Sequence, residues 1–231
     1  MKTIGMIGGM SWESTAMYYS EINNGVKAAL GDLHSAKICL YSVDFYEIEK
    51  YQQLGDWQAS ADILIKAARA VEAGGADFLI ICTNTMHKIA PQIQEAIDIP
   101  ILHIADTTAE VLKTDGIKRV GLLGTRFTME QDFYKQRIIE DHHIQVIVPD
   151  KVAQTMVHDV IYEELCLGNM DEGSRVKYID VIEDLANSGA EAVILGCTEI
   201  ALLVQQMHTQ VPLYDTTAIH AQAAVRLAVT I

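Results

Sequence analysis

Two stretches of this chain repeat one another, and that repeat limits what the chain can fold into more than any other feature. Gly75-Ala76-Asp77-Phe78-Leu79-Ile80-Ile81-Cys82-Thr83-Asn84-Thr85 matches Gly189-Ala190-Glu191-Ala192-Val193-Ile194-Leu195-Gly196-Cys197-Thr198-Glu199 position by position. Each copy is a helix-ending glycine, an acidic residue, an apolar run of strand length and a cluster of small polar side chains. Further matches recur in the same order. Thr3-Ile4-Gly5-Met6-Ile7-Gly8-Gly9 resembles Arg119-Val120-Gly121-Leu122-Leu123-Gly124-Thr125, and Ile99-Pro100-Ile101-Leu102 followed by Asp106-Thr107-Thr108 resembles Val211-Pro212-Leu213-Tyr214-Asp215-Thr216-Thr217. Ordered matches of this kind are an internal duplication.

Strand patterns alternate with helix patterns, so the expected class is α/β: two similar lobes, each a parallel sheet flanked by helices, related by pseudo-twofold symmetry with the active site between them. Residues 1-104 plus 216-231 form the first lobe and 105-215 the second. In the first lobe, residues 3–8 read as a strand, 12–30 as a helix, 36–43 as a buried strand and 44–55 as a surface loop or short helix. A long amphipathic helix over 56–74 then leads to the third strand, 77–82, followed by a helix over 91–97 and a strand over 100–104. In the second lobe, a strand over 144–149, helices over 152–167 and 171–188 and the copied strand over 191–196 repeat the plan. The last helix, 216–229, is expected to pack back on the first lobe.

The net charge of −14 excludes a nucleic-acid binder, which needs a concentrated basic surface to displace phosphate counterions. It also offers an anionic substrate no steering, so positive potential must come from the site itself. No stretch approaches the ~20 apolar residues of a membrane span, and no basic segment precedes an apolar run at the N-terminus, so a cytoplasmic protein without a membrane partner is expected. Cys39, Cys82, Cys166 and Cys197 contain no Cys-x-x-Cys pair, which argues against a disulfide framework and a structural zinc site. Cys39 falls inside a strand run and reads as core packing.

Polar clusters at the carboxyl ends of parallel strands are where open α/β sheets place their ligands. The repeat aligns Thr83 with Cys197, so each lobe delivers one proton-active side chain. Two such groups on opposite faces of one carbon are what racemisation next to a carboxylate requires: one removes the α-proton and the other returns a proton from behind. A thiol, with a reference pKa of ~8.5, populates both of its forms near neutrality. The turn Gly8-Gly9-Met10-Ser11 offers backbone N–H groups to an anion at a helix start, or is only a tight turn without a ligand. Lacking the later glycines of a dinucleotide fingerprint, it assigns no nucleotide. Tyr51 and Gln52, in the polar segment after the second strand, are candidate ligand contacts.

The motifs Ile7-Gly8-Gly9-Met10, Asn84-Thr85-Met86-His87 and Gly196-Cys197-Thr198-Glu199, in this order over nearly the whole chain, resemble those of the cofactor-independent aspartate/glutamate racemases. The Cys-Thr-Glu form is similar to the aspartate-racemase branch, because the cell-wall glutamate racemases usually carry histidine after Cys-Thr. The resemblance implies two lobes, a site at their interface, a small amino-acid substrate, a homodimer, two catalytic cysteines and no cofactor, pyridoxal phosphate included. Cys197 matches the second catalytic cysteine. Where the first should stand, before Asn84, this chain has Thr83. Cys82 lies one residue early, and one residue on a strand reverses side-chain direction, so Cys82 is expected to point away from the ligand and pack.

Threonine hydrogen-bonds and passes on protons but is a poor base at neutral pH. An asymmetric site follows, with Cys197 as thiolate removing the α-proton and Thr83 protonating the other face. Family stereochemistry then implies that L-substrates react better in initial rate. Met10, Ser11, Asn84, Thr85, Thr125 and Thr198 are expected to hold the α-carboxylate and spread enolate charge. Glu199 binds the ammonium group or orients Cys197, or is only a first-turn carboxylate. Aspartate racemases resemble each other in an arginine and a lysine that face the second carboxylate, and here those places read Ile48 and Leu165-Cys166. The second carboxylate would then rest on neutral donors such as Gln52, which keeps a racemase of broader or neutral amino acids open. With one cysteine gone, decarboxylation or isomerisation of a small diacid stays open too, as does ligand binding without catalysis. His87 reads as a supporting or capping histidine. His142-His143 reads as a solvated loop with no thiol or further histidine at metal-ligand spacing.

Overall fold

A computed structural model describes residues 1–230. The chain forms two compact units: Met1–Ile104 together with residues from 220 onward, and Ala105–Ile219.

The first unit is a three-stranded parallel sheet in the order β2-β1-β3, with β1 at Ile4–Gly8, β2 at Ile38–Ser42 and β3 at Phe78–Ile81. Helices α1 (Trp12–Leu30), α2 (Phe45–Leu54), α3 (Trp57–Ala73) and α4 (Ala90–Gln94) connect and cover it, with a 3₁₀ turn at Thr85–Ile89. One apolar cluster lies on the α3 face, with Ile7, Leu64, Leu79 and Ile81 in it. A second holds Ile4, Met6, Tyr18, Ile80 and Cys82. Alternation along β3 sends Ile80 to one and Ile81 to the other, as a strand buried on both faces requires.

The second unit opens with α5 (Ile104–Thr114) and carries a four-stranded parallel sheet in the order β5-β4-β6-β7: β4 at Arg119–Gly124, β5 at Gln145–Ile147, β6 at Ala192–Gly196 and β7 at Leu213–Asp215. Between the strands run α6 (Arg126–Glu130), α7 (Asp132–His142), α8 (Lys151–Glu163), α9 (Glu172–Asn187) and α10 (Ile200–Leu203), and α11 (Thr216–Val229) ends the fold. The parallel sheets flanked by helices are the α/β architecture expected from the alternation of patterns. No helix among the described residues is long and apolar enough to cross a membrane.

Each unit uses the repeated acidic residue in the same way. Asp77 accepts from the N–H of Thr3 at 2.6 Å, and Glu191 accepts from the N–H of Lys118 at 2.6 Å and of Arg119 at 3.1 Å. The acid at the start of the third strand thus satisfies the backbone at the start of the first, which explains why it recurs.

Three expectations fail in detail. The second strand is shorter than 36–43 and only half-buried, with Leu40 43% exposed, because β2 is an edge strand paired on one side. Its continuous apolar run does not by itself distinguish an edge from a centre. Cys39 does point inward, its Sγ so near Gly74 that a Cβ there would come within 2.5 Å. Residues 100–104 form one bridge, Leu79 with Ile101, rather than a strand. Pro100 has no N–H to donate, the Ile101 N–H goes to the Gln94 side chain, and the chain is already helical from Ile104. His142 is not in a solvated loop. It ends α7, and its Nε2 lies 3.2 Å from Asp106 Oδ1, beside the paired contacts of Arg137 with the same carboxylate at 2.6 and 2.7 Å.

The end of α11 packs as expected against the first sheet, with Ala221, Ala224 and Ala228 in the cluster of Ile4, Tyr18 and Ile80. His220 is wholly buried there. Its Nε2–H donates to Leu102 O at 2.8 Å, and Tyr18 OH donates to its Nδ1 at 2.9 Å. Burial holds this histidine neutral and pushes its pKa down to about 4. The unfolded chain takes up a proton near the ordinary ~6.5 while the folded chain refuses it until about pH 4, so this contribution to stability is complete above pH ~6.5 and falls as the pH drops through that window. The expected loss is up to ~3 kcal/mol, read as the urea midpoint at pH 7 against pH 4.5. His220→Gln should flatten this pH dependence. Equal slopes for the two proteins would show that His220 does not carry it.

Candidate active site

In the first unit the site residues lie at the carboxyl ends of β1 and β3. Gly8 admits Thr15, since a Cβ there would come 2.3 Å from the threonine methyl. Gly9 has φ +93° and a Cβ would meet Val43 O at 2.2 Å, so only glycine fits. The Gly9 N–H is taken by Thr15 Oγ1 at 2.8 Å, and Ser11 caps α1 by accepting from Ser14 N–H at 3.2 Å. These internal bonds narrow the expected cradle, and Gly9 is not one of its donors. Met10 packs its side chain into the cluster with Ile7 and Ile48. Asn84 and Thr85 are buried at the start of the 3₁₀ turn.

Thr83 is half-buried on the bend after β3, and its hydroxyl makes no hydrogen bond with another described residue. Its backbone is held on both sides. Thr83 N–H donates to Ile81 O at 2.8 Å, and His87 Nδ1 lies 2.8 Å from Thr83 O. Because Ile104 N–H donates to His87 Nε2 at 3.3 Å, the tautomer that satisfies both bonds carries its proton on Nδ1 and donates it to Thr83 O. His87 therefore supports the strand end instead of offering a base. Cys82 is buried in the cluster of Ile4, Met6 and Tyr18, and burial drives its thiol far above the ordinary range. It packs, as its one-residue offset predicts.

The second unit repeats the geometry. Thr125 caps α6 by accepting from Thr128 N–H at 3.3 Å, and a Cβ on Gly124 would meet Gly196 O at 2.9 Å. After β6, the Cys197 thiol donates to Glu199 Oε2 at 3.0 Å, and Thr198 Oγ1 donates to the same oxygen at 2.6 Å. Cys197 is 9% exposed. Burial, and then the Glu199 carboxylate and the neighbouring Cys166, push its pKa well above the usual value. The same surroundings disfavour the thiolate that proton abstraction requires. The sulfur carries its proton and points it at a carboxylate.

The sequence reading missed Cys166 as a neighbour of Cys197, because the approach depends on how a 3₁₀ turn at Leu165–Leu167 follows α8. Gln52 is buried and donates to Met86 Sδ at 3.0 Å. Ile48 is 0% and Leu165 2% exposed, each inside an apolar cluster, and Leu165 shares its cluster with Cys197.

Residues 7–224 match the sequence model of the Asp/Glu/Hydantoin racemase family. A crystal structure from Yersinia pestis, of a protein described as a candidate Asp/Glu racemase, is 55% identical with a TM-score of 0.93, covering 100% of both chains. An aspartate racemase homologue from Pyrococcus horikoshii OT3 is 32% identical with a TM-score of 0.84, again over 100% of both chains. The broad specificity amino-acid racemase RacX of Bacillus subtilis (strain 168) is 23% identical over 227 residues, 96% of each chain. With the family model spanning both units and both strand-end clusters, the chain belongs to the Asp/Glu/Hydantoin racemase family.

Proposed function

We propose that the chain is a cofactor-independent amino-acid racemase in which Cys197 and Thr83 act on opposite faces of one α-carbon. The observation that carries this reading is the hydrogen bond from the Cys197 thiol to Glu199, a proton already directed at an acceptor. When the substrate ammonium arrives beside Glu199, its charge offsets the carboxylate that raises the thiol pKa. Cys197 then passes its own proton to Glu199, becomes a thiolate and takes the α-proton of the L-enantiomer. Backbone N–H groups at Met10, Ser11, Asn84 and Thr85, with Thr125 and Thr198, hold the α-carboxylate and carry the enolate charge. Thr83 returns a proton from the other face, directly or through a water.

The test is proton NMR in heavy water of L-aspartate, L-glutamate and neutral L-amino acids, followed by chiral analysis. Cys197-dependent loss of the α-proton signal with appearance of the D-form supports the reading. No exchange with any amino acid would abandon it in favour of the diacid reactions.

A second reading, a broad or neutral substrate range, is favoured by Ile48 and Leu165. Both are buried in apolar clusters at the places where aspartate racemases resemble one another in carrying cations. Under the first reading the second carboxylate rests on Gln52 and other neutral donors. Rates for aspartate against alanine or leucine decide between the two.

Glu199→Gln removes the acceptor of the Cys197 proton together with one of the charges that raise its pKa. The expected result is a kcat ~10²-fold lower at pH 7 that recovers as pH rises, because the thiolate must now form by release of its proton to solvent. A pH-independent loss confined to KM would instead make Glu199 an ammonium binder only.

A further inference from the structure

Apart from the strand-end residues, the second unit contains a cavity of about 440 Å³ at β5, the start of α8 and the last turns of α9. Ile147, Val181 and Leu185 form an apolar part of its wall, beside a larger polar part. Arg119 and Asp184 line it too, and they form no ion pair with each other or with any other described residue. The Arg119 Nε is buried and has no hydrogen-bond partner among the described residues, while its Nη groups, likewise without a hydrogen bond to a described residue, are the ones an incoming acceptor can reach. The guanidinium lies across Gly189, where a Cβ would come 3.0 Å from Nη1 and 3.4 Å from Cζ, so its position is fixed by a glycine with φ +95°.

Asp184 brings a carboxylate to the same lining from α9. Asp150, whose Oδ1 accepts from Ala153 N–H, adds a second carboxylate to the lining. One guanidinium against two carboxylates disfavours a ligand with two negative groups, and the apolar part of the wall takes a hydrocarbon side chain. We propose that this cavity is a second binding site for a free zwitterionic amino acid with an aliphatic side chain, its carboxylate on Arg119 and its ammonium on Asp184. The site is separate from the reacting groups. Arg119 is the first residue of β4, Cys197 follows the last residue of β6, and Gly124 pairs with Gly196, so five residues of strand, roughly 17 Å, separate the two levels.

The test is isothermal titration calorimetry of the full chain with L-leucine and with L-leucinamide, which lacks the carboxylate, on wild type, Arg119→Gln and Ala153→Leu. The expected result is leucine binding that weakens at least ~10-fold in both variants, and no matching site for leucinamide. Leucine binding that survives both variants unchanged belongs to the strand-end residues and overturns the proposal, as does no leucine binding or equal binding of the amide. Ala153→Leu narrows the cavity without removing a charge, so it decides the matter if Arg119→Gln fails to fold.

Discussion

Cys197→Ala is expected to remove α-proton exchange from every amino acid the protein turns over, a fall of ~10²–10⁴-fold in kcat, the worth of a positioned proton-transfer group. The Cys197 thiol and the Thr198 hydroxyl both donate to the Glu199 carboxylate, at 3.0 and 2.6 Å, and of the two the thiol is by far the stronger acid. Cys82→Ala is the control. Its thiol is buried with Ile4, Met6 and Tyr18 and held neutral by that burial, so its loss should leave exchange intact and lower stability by ~1–2 kcal/mol through the small cavity left behind. The pair of results is read by the same heavy-water NMR and by urea denaturation. Exchange that persists in Cys197→Ala, or disappears in Cys82→Ala, would place the base elsewhere and undo the assignment that the repeat supports.

The parts of the fold that were legible in the sequence are those whose cause is local or repeated. Helix α1 spans the residues that its pattern predicts, from the Ser11 cap to Gly31, because capping, periodicity and the terminating glycine all lie within one stretch. The repeat aligned Thr83 with Cys197 without any reference to space. What stayed hidden depends on partners far along the chain. The carboxylate of Asp77 serves Thr3, 74 positions away, so its recurrence as Glu191 was visible in the repeat while its purpose was not. His142 looked like a loop residue because Asp106, which gives it a place, lies 36 positions earlier.

The same limit applies to the strand-end residues. Thr83, Cys197 and Glu199 were readable as residue types at defined offsets. The protonation state of Cys197 was not, since it follows from burial by Leu165 and other members of its cluster and from the approach of Cys166. The glycines before α1 suggested donors for an anion, yet Thr15, six positions beyond Gly9, consumes one of them. Short polar motifs announce that backbone N–H groups are exposed locally. They do not announce which of these the fold satisfies itself.

For Thr83 the expected result is a separation of exchange from inversion. Two enantiomers are equal in free energy, so kcat/KM must be the same in both directions and no choice of acid can change that. An asymmetric pair shows itself instead in what happens to the carbanion. Formed from the L-enantiomer by Cys197, it is expected to be reprotonated more often by the same thiol, which has exchanged with solvent, than by a hydroxyl with no hydrogen-bonded base among the described residues. In heavy water L-substrate should therefore lose its α-proton at least ~10-fold faster than D-product appears, whereas D-substrate should exchange only as fast as it inverts. Thr83→Ala should lower inversion a further ~10²-fold while leaving exchange of the L-enantiomer within a few-fold of wild type. Thr83→Cys should bring the two rates together by placing a second thiol where the repeat aligns one, with His87 still bonded to the backbone carbonyl that sets its position. If exchange of L-substrate runs no more than about twofold faster than inversion in the wild type, the hydroxyl is at least as good an acid as the thiol, and the asymmetry is wrong even though the racemase assignment stands.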